Sequence, residues 1–393
     1  MPCLCTRGGF VGVVRMNGDE ERTICIISSV EEPSLAGVVP VRDMVRILLH
    51  THGHVLLATS SGLVAALEGT PGLEVHAIDR ASGGLPARLA RYLLSQLRNA
   101  RIMVSHWNEV DDWLFFVGGD TQTLPAVLAK ISGRPAYQLF GAASKRTFRS
   151  YGASPLMVAM LSMASRLNCA LADRIVVYSK SGIKDYGLEP FAHKTAVRSR
   201  HIVDDEQFRP QARIGDRPLE IGYMARLAPE KGILEFVESL PGILEGEPDC
   251  GVRIMGTGEL EPRVKGMLGE MGLEERVELS GWAPHGEMPR HLNSIRLLII
   301  PSHTEGLPNV MLEAMACGTA VLASDVGAVP EVIRDGETGY LMRGNGPATI
   351  AARALEALRD PRLEEVAAAG GDLVRREYRF EVQAEKWRSL FQD

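Results

Sequence analysis

Two glutamates, Glu305 and Glu313, stand eight residues apart within Pro301-Ser302-His303-Thr304-Glu305-Gly306-Leu307-Pro308-Asn309-Val310-Met311-Leu312-Glu313-Ala314-Met315-Ala316-Cys317-Gly318. The apolar run before this segment reads as a buried strand, Gly306 marks a turn, and Pro308 sits at or near the first turn of a helix. Glu305 then lies in the turn and Glu313 about a turn and a half into the helix. Both can face one cleft mouth, about 10 Å apart by helix rise. The first N–H groups of such a helix lack intrahelical partners and can donate to hydroxyls or to a phosphate. The same spacing also describes a glutamate favouring the helix dipole followed by a solvated one.

A second charged pair sits in Gly222-Tyr223-Met224-Ala225-Arg226-Leu227-Ala228-Pro229-Glu230-Lys231-Gly232, again a strand end running into a helix. Arg226 and Lys231 in that connection can project over the same sheet edge. Two fixed cations there suit a diphosphate, Arg226 by forked hydrogen bonds and Lys231 as a point charge. Two solvated surface cations would look no different in isolation, but a cationic pair facing a carboxylate pair favours a ligand site.

The elements that must carry these residues alternate strand and helix. Thr23–Ser28 reads as a buried strand. A loop at Glu32–Gly37, a helix with Pro40 near its start and a strand at Val55–Thr59 follow it. Further strands are expected at Trp113–Val117, Ala136–Phe140 and Arg174–Tyr178. A second set is expected at Leu219–Met224, Gly251–Met255, Val277–Ser280, Leu297–Pro301, Ala320–Ala323 and Thr338–Leu341, with a last helix around Arg375–Leu390. This alternation predicts an α/β protein of two doubly wound parallel sheets with a cleft between them and ligands beyond the strands' carboxyl ends. The expected division is a tail at 1–21, with Met16 as an alternative start, a domain at 22–210, a domain at 211–375 and a helix at 376–393. Its boundary is placed in the polar stretch Asp204–Arg217, where Pro210 and Pro218 break the pattern.

Composition narrows the function. The chain has 393 residues, 45% apolar and 23% charged, with a net charge of −6, which argues against a dedicated nucleic-acid binder. The first 215 residues are mildly basic and the rest strongly acidic. No apolar run reaches the 18 or so residues of a membrane span, and the N-terminus lacks a secretory signal pattern. Six scattered cysteines without a C-x-x-C pair read as reduced thiols of a cytoplasmic protein. His50, His52 and His54 alternate as metal ligands can, but a helix stop leading into a strand explains them better. No G-x-G-x-x-G follows the first strand, which argues against a dinucleotide-dependent dehydrogenase.

Together these motifs resemble glycosyltransferase family 4, the group 1 glycosyltransferases: retaining, nucleotide-sugar-dependent enzymes with two Rossmann-like domains in a GT-B type fold. Glu305 to Glu313 matches the family's E-x7-E, and Arg226, Lys231 and Gly232 match its G-R-L-x-x-E-K-G, with Ala225 where Gly is usual. Gly256 and Gly258 match its G-x-G loop near the donor nucleotide. Gly281-Trp282, Ala323–Glu331 and Asp335–Gly339 follow in family order, so the resemblance covers essentially all of 219–393. The front half matches more thinly. Ala36-Gly37-Val38 stands for the Gly-Gly loop facing the donor phosphates, and Ala172–Ser179 for a strand. Positions where the family often has His read Leu139-Phe140-Gly141 and Val117-Gly118-Gly119-Asp120, which leaves Asp120 or His106 to take that place. The usual N-G-V-D reads His201-Ile202-Val203-Asp204.

The resemblance implies transfer of a hexose or N-acetylhexosamine from a nucleotide-diphosphate sugar such as a UDP- or GDP-sugar, without metal or other cofactor. Arg226 and Lys231 would steady the departing diphosphate. Glu305, with Gly306 and Leu307, would hold the sugar hydroxyls, Glu313 the ribose, and Pro308, Asn309, Val310, Gly37, Gly256 and Gly258 would line the donor site. The acceptor, a glycan, lipid-linked or small molecule, would lie with the front domain. There Lys145–Tyr151, Arg88, Arg91, Arg98, Arg101 and the apolar Pro155–Ala164 suggest contact with the anionic inner face of a membrane. An ordinary solvated helix face beside a buried Met-rich helix accounts for the same residues. A non-catalytic nucleotide-binding protein of this fold and a nucleotide-sugar epimerase are the alternatives.

Overall fold

The computed structural model describes residues 22–28, 35–59, 64, 67, 69–77, 85–116, 118–141, 155–218 and 220–392. The expected tail at 1–21 and the basic cluster at 145–151 lie outside them. Contacts divide the chain into two compact units. The first runs to Phe140 and resumes over Ser144–Val176 and Ala384–Asp393, and the second is essentially Val177–Gln383.

In chain order the strands are β1 Arg22–Ser28, β2 Gly53–Thr59, β3 Leu73–Ala77, β4 Asp112–Phe116, β5 Ala136–Phe140, β6 Arg174–Val177, β7 Thr195–Val197, β8 Glu220–Met224, β9 Gly251–Met255, β10 Val277–Ser280, β11 Leu297–Ile300, β12 Ala320–Ser324 and β13 Tyr340–Met342. They form two sheets, ordered β3-β2-β1-β4-β5-β6-β7 and β10-β9-β8-β11-β12-β13. The second pairs in parallel throughout. In each sheet the order reverses once beside the first strand, between β1 and β4 and between β8 and β11. At such a switch the loops leave in opposite directions and open a crevice at the carboxyl ends. The core strands are near-continuous apolar runs because helices cover both faces. Two clusters of buried side chains, one with Phe236 and Ile254, the other with Leu298 and Met311, lie on the second sheet.

Two strands, β3 and β7, escape the sequence reading. β3 is a half-exposed edge and β7 has three residues, so neither carries an apolar run. The stretch 204–217 is not a free linker. Arg217, 3% exposed, donates to the carbonyls of Leu292, Ile295, Cys317 and Ala212, to Thr319 Oγ1 and to Asn293 Oδ1. The division by contacts instead falls near Val177. Beyond it Lys180 and Ser181 donate backbone N–H groups to the Glu331 carboxylate, both at 3.0 Å. Where one final helix was expected there are two, Leu363–Glu377 and Phe380–Gln392. The last turns of the second belong to the first unit, where Phe391 packs on Tyr137 and on His52. His52 is buried, its Nε2 3.1 Å from Asp112 Oδ2, at the end of helix Leu35–His52. It is thus a core residue at a helix stop.

Candidate active site

The loops after β8 and β11 meet at the switch of the second sheet. Lys231 Nζ lies 2.5 Å from Glu305 Oε1, with the side chains 19% and 11% exposed. Ser302 donates to the same oxygen at 2.8 Å. Arg226, more exposed, pairs with Glu230. Each cation is thus paired with a carboxylate within the loops, Lys231 with the very glutamate expected to hold sugar. The physical reason is proximity, since a half-buried ammonium requires a counter-charge.

Tyr223, at the penultimate position of β8, fixes the first loop by donating to the carbonyls of Arg226 and Lys231. Burial, with Glu305 second, pushes its hydroxyl pKa up, which keeps it a donor. Gly232 adopts φ +66°, and a Cβ there would stand 2.0 Å from Pro301 O, so only glycine lets this loop close on the end of β11. Gly256, at φ +148°, would place a Cβ 2.0 Å from Ala225 O, and Gly258 one 2.3 Å from Leu227 O. These two expected residues thus press the β9 loop against the β8 loop.

Glu305, Gly306 and Leu307 lead to Pro308, the N-cap of helix Asn309–Ala316. Leu307 and Pro308 are buried, Val310 is half-buried and Asn309 is exposed. Gly306 O accepts from Ala328 N at 2.9 Å. Glu313, in this helix, contacts His285 Nε2 at 2.9 Å. The two glutamates of the E-x7-E spacing thus have separate partners. Gly37 belongs to the other unit, within helix Leu35–His52 rather than in the expected loop.

Sequence reasoning missed several residues. Asn345 Nδ2 donates to the carbonyls of Pro301 and Ser302, both at 2.9 Å, so it positions the serine that holds Glu305. His201 is buried with its Nδ1 3.0 Å from Ser199 Oγ. Burial and then Arg200 push its pKa well down, while a backbone hydrogen bond at Leu307 acts the other way. The H-I-V-D sequence was visible, but nothing in it signals the approach to Leu307. A cavity of about 600 Å³ opens at the carboxyl ends of β12 and β13, lined by Glu235, His303, Asp325, Arg343, Gly344 and Asn345.

Of the candidates to replace the family histidine, Asp120 follows the carboxyl end of β4 and is buried. His106 does not share that place. It follows helix Leu85–Ser105, leads toward the amino end of β4, and binds Glu109 Oε2 through Nδ1 at 2.7 Å.

Residues 204–371 match the family described as Glycosyl transferases group 1. Among curated proteins, the chain is 32% identical over 177 residues to GDP-mannose-dependent alpha-(1-6)-phosphatidylinositol monomannoside mannosyltransferase of Mycolicibacterium smegmatis, covering 41% of this chain and 46% of that one. It is 29% identical over 192 residues to alpha-D-kanosaminyltransferase of Streptomyces kanamyceticus, covering 49% and 46%. The chain thus spans about half the length of the curated relatives it matches. Among solved structures, HepE of Anabaena in complex with UDP superposes with a TM-score of 0.74 at 16% identity, covering 94% of this chain and 99% of that one. Sucrose-phosphate synthase from Thermosynechococcus elongatus gives 0.71 at 17%, covering 94% and 98%. These likenesses establish the two-sheet α/β fold of GT-B glycosyltransferases. By sequence, the segment that matches Glycosyl transferases group 1 includes Arg226, Lys231, Glu305 and Glu313.

Proposed function

We propose that the protein is a retaining glycosyltransferase of family 4, moving a hexose or N-acetylhexosamine from a UDP- or GDP-sugar to a glycan, lipid-linked or small-molecule acceptor. The observation that carries this reading is the Lys231–Glu305 contact at the β8/β11 switch, where charge can meet both halves of a nucleotide sugar. UDP in the complex of HepE, a protein of the same fold, supports the donor class.

In the proposed reaction the anomeric C–O bond to the diphosphate breaks as a new C–O bond to the acceptor forms on the same face. The acceptor's proton passes to a diphosphate oxygen. Lys231 and Arg226 stabilise the charge that grows there, an interaction strongest in the transition state and needing no divalent metal or other cofactor. Glu305, held by Ser302, accepts hydrogen bonds from sugar hydroxyls, while the Gly306 and Leu307 backbone and Pro308, Asn309 and Val310 line the sugar. Glu313 takes the ribose, and Gly256 and Gly258 admit the nucleotide close to the backbone.

Contact with an anionic membrane completes the proposal. Leu93, Leu97 and Val104 are exposed on helix Leu85–Ser105, as are Met160 and Met163, the latter 71%, on helix Pro155–Leu171. That overturns the buried reading of the Met-rich helix and leaves apolar side chains beside Arg98 and Arg101. No helix among the described residues is long and apolar enough to cross a membrane.

The test is to incubate the full chain with UDP- and GDP-sugars and an acceptor panel, and to read the product's anomeric configuration by NMR. Transfer with retention is expected. Donor turnover without acceptor would indicate an epimerase, and nucleotide binding without any turnover a non-catalytic protein; either overturns the reading.

A further inference from the structure

The geometry points to a zinc-binding site on the first unit, formed by Glu74, His76 and His106. Glu74 and His76 occupy alternate positions on the edge strand β3 and so share one side of the sheet. They pair with Leu56 and Ala58, whose face carries the core packed with Met103 and Val110. The chain leaving helix Leu85–Ser105 therefore delivers His106 to the same place.

His76 Nε2 lies 3.0 Å and His106 Nε2 3.9 Å from Glu74 Oε1, and one ligand atom from each residue falls within 4.8 Å of the others. Zinc bonds of about 2.0–2.1 Å in a tetrahedron put ligand atoms about 3.3 Å apart, a spacing these contacts bracket. His76 Nε2 is shielded from solvent and makes no well-formed hydrogen bond, although it faces the carboxylate. His106 Nδ1 contacts Glu109 Oε2 at 2.7 Å, which fixes the ring and leaves Nε2 as the ligand. A carboxylate behind a ligating histidine is the usual outer partner of zinc.

Two imidazoles and one carboxylate suit zinc better than magnesium or calcium, which prefer all-oxygen sets. Glu74 is about half exposed, so a fourth position remains open to water. Bound zinc would clasp the edge strand β3 to the end of the helix. The sequence hid this set because its third ligand lies thirty residues from the second and no short metal motif links them.

The test is equilibrium dialysis of zinc against the untagged full chain after stripping with EDTA and removing the chelator. One zinc per chain is expected. Glu74→Gln and His106→Ala should each weaken binding at least tenfold, and Glu109→Gln, a change at an exposed residue, by about 10–100-fold. Cobalt in place of zinc should give the visible bands of a low-coordinate site, lost in Glu74→Gln. No stoichiometric zinc in the wild type overturns the proposal and leaves a metal-free ion-pair cluster. Unchanged affinity in folded Glu109→Gln and Glu74→Gln overturns it in favour of another zinc site.

Discussion

β1 and β4 of the first sheet stand in the same relation as β8 and β11 of the second, yet their carboxyl edges carry different things. After β4, the turn Gly118–Gln122 is tied down from within. Tyr92 and Gln96 donate to Thr121 O at 2.7 and 2.9 Å, Asn99 to Gln122 Oε1, and Asn168 to Asp120 O. After β8 and β11 the loops instead carry paired charges, Lys231 with Glu305, to which Ser302 also donates, and Arg226 with Glu230. The shared strand order supplies a crevice in each sheet, and side-chain chemistry makes the two crevices different.

Five changes sharpen or break that contrast. Lys231→Ala should lower kcat by about 10²–10³, the scale of removing a charge that stabilises a transition state. Gln122→Ala, at the turn after β4, should leave kcat within a few-fold; equal losses in steady-state assays would erase the contrast. Arg217→Met strips the donors from several buried carbonyls and should cost about 3 kcal/mol in urea unfolding of the second unit. A loss below 1 kcal/mol would mean that the 204–217 stretch is a linker after all. Glu313→Ala should weaken nucleotide binding about tenfold, or 1.4 kcal/mol, by calorimetry. Its partner His285→Ala should act less, since that histidine is largely exposed.

The smallest effect concerns His201, whose folded pKa lies below its unfolded value. Below about pH 6.5 the unfolded chain binds the extra proton, so this residue's contribution is fully present above that pH and is lost as the pH falls. His201→Gln should flatten the acid side of the stability profile by at most about 1.4 kcal/mol per pH unit, the one-proton limit. An unaltered slope would show that His201 is not buried neutral against Leu307.

Much of the fold was legible because buried parallel strands are short apolar runs: β5 and β9 begin and end where the sequence places them. β3 was not, since an edge strand reading Leu-Glu-Val-His-Ala has no apolar run to notice. The site residues stood out through glycines and charges at fixed spacing, and the chain does bring Lys231 to Glu305. What spacing does not convey is pairing across distant loops, such as Asn345 on Ser302 or Glu313 with His285. Arg217 misled for the same reason: in sequence it is polar and followed by Pro218, but in the fold it is a buried hub of hydrogen bonds.

The central claim, a nucleotide-sugar donor seated at the β8/β11 switch, is met most directly by thermal unfolding with UDP, GDP, ADP and TDP. Each is taken with and without EDTA, on the wild type and Lys231→Met. At 100 times its Kd the right nucleotide should stabilise by about 2.7 kcal/mol, a shift of several degrees for a domain this size. The account predicts that one nucleotide gives this increment, that EDTA leaves the increment unchanged, and that Lys231→Met abolishes most of it. An equal increment in Lys231→Met, or none with any nucleotide or nucleotide sugar, would contradict it.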